Sequence, residues 1–283
     1  MQNKPFGKSR NLLHAFEAER KRRHHKLGLL LKQQNQHNVV LVMMLNQGHL
    51  DLFRNWVRSC DDRGIEVRSW TLVFAVDADA ANGVEQLGFT SYFDPTSYGE
   101  HGKDAVKVFG DMQFRSLMFQ KTAIVKDVLD LGYSLLFQDV DVVWKKDPLP
   151  YFLHPSRQRF DARFMYDGQN NMHAPLHVNT GFFWLNPTPE SSRFWSAVLM
   201  HFDLIHRFGS QQMIVNQIIL GHLFKGLKLN MLPEKDFSNG HLFSITNTAR
   251  LPKDPYVIHC SWTGNLEHKI KKFKFAGLWY LDN

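Results

Sequence analysis

Two aspartates one residue apart, Asp139 and Asp141, interrupt the otherwise apolar run from Ser134 to Trp144, SLLFQDVDVVW. Residues two apart on a strand point to the same side, so the carboxylates are expected to project together near the strand's end. Carboxylates this close, flanked by Leu136 and Trp144, repel one another unless a cation lies between them. Oxygen ligands without thiolates suit Mg²⁺ or Mn²⁺, and such an ion often bridges a protein to a diphosphate. Far downstream, His259 ends the apolar run Tyr256 to His259, and Gly264, Lys269, Lys271, Lys272 and Lys274 follow it. An imidazole is a suitable third ligand for Mn²⁺, and ammonium groups balance phosphate charge. These residues alone leave a strand-end turn at the acidic pair, and a structural role for His259, as open alternatives.

Groups so distant in sequence meet only if a sheet carries them. VVLVMML (39–45) and WTLVFAV (70–76) are β-rich runs, and Phe53, Trp56, Val57 and Cys60 fall at helical spacing between them. This is the pattern of a βαβ unit. A helix is predicted from about Asp111 to Leu131, with Phe114, Leu117, Met118, Ile124, Val125 and Val128 on one side and Gly132 stopping it. Further strands are predicted at ARFMY (162–166), TGFFWL (180–185) and YVIHCSW (256–262), with helices near 190–205 and 210–224. No internal repeat or Ser/Gly-rich linker breaks the pattern, so residues 38–283 read as one α/β domain.

The 283 residues are 43% hydrophobic with only two cysteines, which supports a large core and excludes disordered, collagen-like and disulfide-scaffold classes. Residues 1–37 hold nine of the 34 basic side chains against two glutamates, leaving 25 basic and 25 acidic residues in the body. The first 37 residues therefore read as a basic helical arm, either solvated or contacting an anionic surface or acidic partner, and no nucleic-acid ligand is expected. The longest apolar run of the body, Val39 to Leu45, is far below the roughly 20 residues that cross a bilayer. Residues 1–30 carry charges where a signal peptide has an apolar stretch. Cytoplasmic residence is the direct expectation, with the Golgi lumen as the alternative for a trimmed chain. Cys60 and Cys260 are expected to be reduced core thiols.

The segment FRSLMFQKTAIVKDVLDLGYSLLFQDVDVVWKKDPLPYF resembles the D-x-D core of the nucleotide-diphospho-sugar transferase family, best matching glycosyltransferase family 77. The resemblance extends through NQGHLDLFRNWVRSCDDRGI, VNTGFFWLNP and HCSWTGNLEHKIKKFKFAGLW, in the family's order. It implies a single GT-A-type, Rossmann-like domain with a mixed, mainly parallel sheet that binds a nucleotide sugar near the carboxyl ends of its strands. By the same resemblance, Asp139 and Asp141 are a metal pair with His259 as third ligand, and Lys269 reaches the donor diphosphate. Asn46, Gln47 and Gly48 fall where the nucleotide base and ribose lie, Lys121 at a donor-contacting position, and Gly264 in the C-terminal motif. Asn179 is similar to the sugar-binding Asn of the related family 8, and Gln212 to the Gln of a helix start that these families usually write Asp-Gln. Here Gln211 stands in place of that Asp.

The resemblance thus implies a metal-dependent retaining transferase that moves a sugar, galactose or xylose, from a UDP-sugar to a hydroxyl of a glycan or glycoprotein, with Mn²⁺ or Mg²⁺ as cofactor. The metal and Lys269 would stabilise charge on the leaving diphosphate, with Asp141, Asn179 and Gln212 as the catalytic group. Two alternatives are a catalytically silent nucleotide-sugar-binding module and a phosphohydrolase using the Asp139/Asp141 pair. The second usually has Ser or Thr two residues after the second Asp, where this chain has Val143.

Overall fold

The structure is a computed structural model that describes residues 13–14, 16–98, 112–169, 176–221 and 226–281. Its first half alternates helices and strands: α1 Arg20–Gln33, β1 Val39–Leu45, α2 Leu50–Asp61, β2 Thr71–Ala75, α3 Ala78–Gln86, β3 Thr90–Tyr92, the single turn α4 Pro95–Tyr98, and α5 Met112–Asp130. There follow β4 Ser134–Gln138, β5 Val142–Trp144, the short α6 Leu149–Leu153, β6 Ala162–Tyr166, β7 Val178–Leu185, α7 Pro189–Met200, α8 Phe202–Phe208 and α9 Gln211–Leu220. The chain ends with β8 Leu229–Met231, β9 Phe237–Ser238, β10 Val257–His259 and α10 Leu266–Phe275. The predicted helix start at Asp111, and the end of the helix predicted to reach 224, lie outside the described residues.

Seven strands form one sheet in the order β3-β2-β1-β4-β7-β6-β8, parallel except for β7, which runs antiparallel to both β4 and β6. This is the mixed, mainly parallel sheet expected. The central strand β1 is apolar throughout because both its faces are covered. Val39, Leu41, Met43 and Leu45 enter one core with α2, α3 and the C-terminal elements. Val40 and Val42 enter a second core with α1, α5, α7 and α9. Helix starts on both faces follow capping chemistry. Asp77 accepts from the Ala80 N–H at α3, Asn265 from the His268 N–H at α10, and Thr188 and Ser191 cap α7 reciprocally behind Pro189.

The run SLLFQDVDVVW is not one strand. It leaves the main sheet after Gln138 and joins a second, three-stranded sheet, β5-β10-β9, at Val142. Two anchors explain the switch: Trp144 Nε1 donates to Gln138 Oε1 (2.7 Å), and the Trp144 N–H donates to Ser59 Oγ on α2 (3.1 Å). Trp144 also packs edge-on against Trp56 at 5.7 Å. The aspartates therefore stand on a link between two sheets, and β10 pairs antiparallel with β5 so that His259 lies opposite Val142.

Within the N-terminal arm, α1 packs on the body and does not stand free in solvent. Arg23 on α1 is fully buried and forms a two-pronged pair with Asp127 of α5 (2.6 and 3.1 Å), its guanidinium 3.8 Å from the Phe16 ring centroid. Arg20 pairs with Asp130, and Arg22 with Asp94. Three of the arm's cations, expected to be solvated or to meet an anionic surface or acidic partner, are thus used in holding α1 on the body, and Leu27 and Leu31 enter the second core. Cys60 and Cys260 are both buried and free. Burial pushes the Cys260 thiol up to about 12 and the Cys60 thiol higher still, as suits inert core groups. Among the described residues no helix is long and apolar enough to cross a membrane.

Candidate active site

The link Asp139–Val140–Asp141 is fixed by backbone bonds at both ends. The Asp139 N–H donates to the Gly181 carbonyl on β7 (2.7 Å), and the Cys260 N–H after β10 donates to the Asp141 carbonyl (2.8 Å). This pinning brings Asp139, Asp141 and His259 together with one ligand atom from each within 4.8 Å of the others. Asp141 is buried, with Oδ1 3.3 Å from His259 Nε2 and Oδ2 2.5 Å from Lys269 Nζ on α10. The Asp139 side chain is 37% exposed and accepts from Lys121 Nζ at 2.8 Å, so it is the member that faces the cleft.

Burial opposes ionisation of Asp141, yet the Lys269 ammonium and the His259 imidazole outweigh it and hold the carboxyl well below the usual carboxylate range. For Lys269, burial would lower the ammonium, and Asp141 overrides it and raises it above the ordinary lysine value. Gly181 keeps the space open. A Cβ on it would lie 2.1 Å from His259 Cε1, 2.7 Å from His259 Nε2 and 2.8 Å from Asp139 Oδ2. Two carboxylates and an imidazole around a gap that only glycine leaves clear fit a hard divalent cation such as Mn²⁺ or Mg²⁺.

Two connected lobes flank this centre. One, of about 160 Å³, is lined by Asn46, His49, Asp139, Val140, Gly264 and Lys269 among others. The other, of about 520 Å³, runs past Lys121, Asp141, Asn179, Gln212 and His259 to Trp262. Lys121, placed by the family resemblance at a donor-contacting position, is buried, with Nζ over the Phe137 ring at 4.4 Å. Asn46 lines the first lobe. Gln47 and Gly48 sit beside it on the turn Gln47–His49, the Gln47 N–H is taken by Asp77 (2.9 Å), and neither lines these lobes. The turn sends His49 inward instead, which sequence reasoning missed. His49 Nδ1 meets Asn46 Oδ1 at 2.5 Å, and burial, with Lys269 nearby, lowers the imidazole to about 4, so it is neutral near pH 7.

The second missed residue is Asp167, just beyond β6, which is buried and collects three amides. Asn179 Nδ2 donates to Oδ1 (2.7 Å), Gln212 Nε2 to Oδ2 (2.8 Å) and Asn239 Nδ2 to Oδ1 (3.0 Å). Gln212 Oε1 meanwhile accepts from the Thr180 N–H (3.0 Å), and Asn179 Oδ1 from the Gly181 N–H (2.7 Å). Both sequence-predicted amides therefore line the cleft, but the Gln212 carbonyl is committed to backbone. Gln211, at the position where an Asp was expected, is fully buried. The carboxylate near this part of the cleft comes instead from the residue after β6, and the only sequence signal for it is an Asp-Gly pair, which reads as a turn.

The chain matches the nucleotide-diphospho-sugar transferase family over residues 67–273. It is 23% identical to a UDP-galactose:fucoside alpha-3-galactosyltransferase of Dictyostelium discoideum, across 87% of this chain and 44% of that protein. It is 24% identical to an arabinosyltransferase of Arabidopsis thaliana, across 83% of this chain and 39% of that one. Among solved structures, an active-site mutant of LgtC superposes with a TM-score of 0.54 at 11% identity, covering 84% of this chain and 95% of its own, which establishes a common fold. The chain thus spans less than half the length of these two curated relatives. That corrects the expectation of cytoplasmic residence. It rested on the lack of a signal or anchor within 283 residues, and these sugar-transferring relatives have more than half of their length beyond the matched region.

Proposed function

Because the chain belongs to the nucleotide-diphospho-sugar transferase family, we propose that it transfers a sugar from a UDP-sugar to a hydroxyl of a glycan or glycoprotein, with retention of anomeric configuration. The observation that carries this reading is the convergence of Asp139, Asp141 and His259 beside Lys269 at the meeting of two lobes. Asp139, Asp141 and His259 would hold Mn²⁺, or Mg²⁺, which when bound supplies positive charge to the leaving diphosphate. Lys269, kept protonated by Asp141, adds a fixed cation on the same side without any rearrangement during reaction. The smaller lobe, with Asn46, the neutral His49 and Gly264, suits the nucleoside. Lys121 holds the cleft-facing Asp139 in place from a buried ammonium.

In the larger lobe Asn179 and Gln212, locked to Asp167 and to strand backbone, present a rigid polar wall to the sugar. Rigid walls lower the barrier by holding donor and acceptor in attack geometry. Gln212 is an amide and a poor nucleophile, which favours retention without a covalent intermediate on that residue. UDP-galactose and UDP-xylose are the donors favoured from sequence, and arabinose donors merit inclusion in view of the relatives. Proton NMR of the first-formed product tests the reading: a donor-like α-anomeric signal is expected, and an inverted product would refute retention.

A further inference from the structure

Trp262 carries a backbone conformation that a bulky side chain rarely adopts, with φ at +58°, and its side chain is left 57% exposed. Strain of this kind persists only where the surroundings enforce it, and here they do. The buried Lys272 donates to the carbonyls of Ser261 (2.9 Å) and Gly240 (2.7 Å). Ser261 Oγ bonds Asn239 Oδ1 and accepts from the Gly240 N–H (3.2 Å). A Cβ on Gly240 would fall 1.9 Å from the Ser261 carbonyl oxygen, so the two backbones touch only because that residue is glycine. Asn239 in turn reaches Asp167, which ties the Trp262 support to the wall holding Gln212.

The exposed indole stands between the larger lobe of the cleft and a separate side cavity of about 320 Å³, and lines both. Tyr166, Gln169, Glu234, His241 and Arg250 form the polar part of that cavity. Glu234 and His241 are paired at 2.7 Å, and His241 Nδ1 is buried without a hydrogen-bond partner among the described residues. Arg250 is exposed and makes no ion pair among the described residues. The volume lies at the small end of ligand sites, and the lining mixes a flat aromatic face with both donors and acceptors. That chemistry suits a polyhydroxylated ring, whose C–H face stacks on an indole while its hydroxyls take hydrogen bonds. A phosphate would want more than one cation, and an apolar peptide would leave these polar groups unpaired.

We infer that this side cavity is the subsite for the terminal neutral pyranose of the acceptor, with Trp262 as its stacking platform. This rests on the transferase reading. A ring seated there lies across Trp262 from Asp139 and Asp141, so a hydroxyl on its near edge faces the donor sugar. Tyr166, Glu234, His241 and Arg250 then select the acceptor, while Asp139, Asp141, His259 and Lys269 serve the donor alone.

The test measures transfer and acceptor-free hydrolysis separately, with Mn²⁺, a panel of UDP-sugars and a panel of methyl pyranosides, for wild type, Trp262→Ala, Trp262→Phe and Arg250→Ala. Trp262→Ala should lower the ratio of transfer to hydrolysis by about tenfold or more through the KM for the glycoside, as loss of an aromatic contact and its buried area implies. Trp262→Phe should recover most of that ratio, and Arg250→Ala should lower it a few-fold. An unchanged ratio in Trp262→Ala, or a change confined to donor KM, overturns the subsite. Should Trp262→Ala fail to fold, Tyr166→Ala on the same cavity takes its place with the same two outcomes. Wild-type protein that hydrolyses no UDP-sugar refutes the transferase reading, and saturation-transfer NMR then decides the subsite separately. Methyl pyranosides saturated by wild type with UDP and Mn²⁺, and not by the variant, sustain it, and no saturation of any of them overturns it.

Discussion

Gly181→Ala perturbs the proposed metal centre without removing any of its ligands. The residue lies in the interior of β7, its backbone is not left-handed, and alanine is sterically acceptable to the strand itself. What the added methyl meets is His259 Cε1 at 2.1 Å, His259 Nε2 at 2.7 Å and Asp139 Oδ2 at 2.8 Å. All three separations are too short for real contacts, so His259 and Asp139 must move apart. Displacing ligands in this way costs roughly 10- to 100-fold in metal affinity, as loss of supporting contacts does, and overpacking costs about 1–3 kcal/mol of stability. The ligand effect is read from thermal unfolding with UDP and Mn²⁺. At a ligand concentration 100 times Kd the wild type gains about 2.7 kcal/mol, and a 100-fold weaker variant at the same concentration gains only ~0.4 kcal/mol. At about 2–4 °C per kcal/mol for a domain approaching this size, the ligand-induced shift falls from roughly 5–11 °C to about 1 °C. A Gly181→Ala protein with an undiminished UDP–Mn²⁺ shift would refute the placement of the ion between His259 and Asp139.

Arg23→Ala should destabilise the protein by about 1.5–3 kcal/mol in urea unfolding, because it removes both guanidinium bonds to the buried Asp127 carboxylate, which His24 still contacts at 2.8 Å; a loss under 1 kcal/mol would mean α1 is only loosely held. His49 is lowered to about 4 against an ordinary 6.5, so the unfolded chain takes its proton first as pH falls. Its contribution to stability is therefore complete above pH 6.5 and is lost progressively down to about pH 4. His49→Gln should flatten that part of the melting-temperature profile, and an identical profile would show that His49 is not the group responsible. Gln212→Glu puts a second carboxylate where Nε2 now donates to Asp167 at 2.8 Å, which raises the pair's affinity for a proton in the folded state. Its melting temperature should thus fall relative to wild type as pH rises above about 4.5, and a constant difference across pH 4–8 would contradict the contact.

The residues that hold the site were more legible in sequence than the geometry that joins them. Val39–Leu45 and Ala162–Tyr166 were read with the bounds they have, because long β-rich runs between breakers leave few alternatives. The division of SLLFQDVDVVW into strands of two sheets was not readable. Both halves are equally apolar, and what separates them is a pair of bonds from Trp144 to Gln138 and to Ser59, the latter 85 residues away. The three-residue strands β3 and β8 are too short to show alternation. The basic run Lys21–Lys26 reads as solvated or surface-binding because charge density is a local signal, whereas the burial of Arg23 depends on Asp127, 104 residues distant. Asp167 was missed for a related reason: beside Gly168 it looks like a turn, and only the fold brings Asn179, Gln212 and Asn239 onto it.

The central claim is that Asp139, Asp141 and His259 hold the ion on which UDP release depends. The most direct measurement is the initial rate of UDP release from UDP-galactose, UDP-xylose and UDP-arabinose, with Mn²⁺ and with excess chelator, for wild type and Asp141→Asn. The account predicts release by wild type from at least one donor only when Mn²⁺ or Mg²⁺ is present, and a loss of roughly 100-fold or more in an Asp141→Asn protein that remains folded. Release that is indifferent to chelator, or an Asp141→Asn enzyme at the wild-type rate, would contradict it.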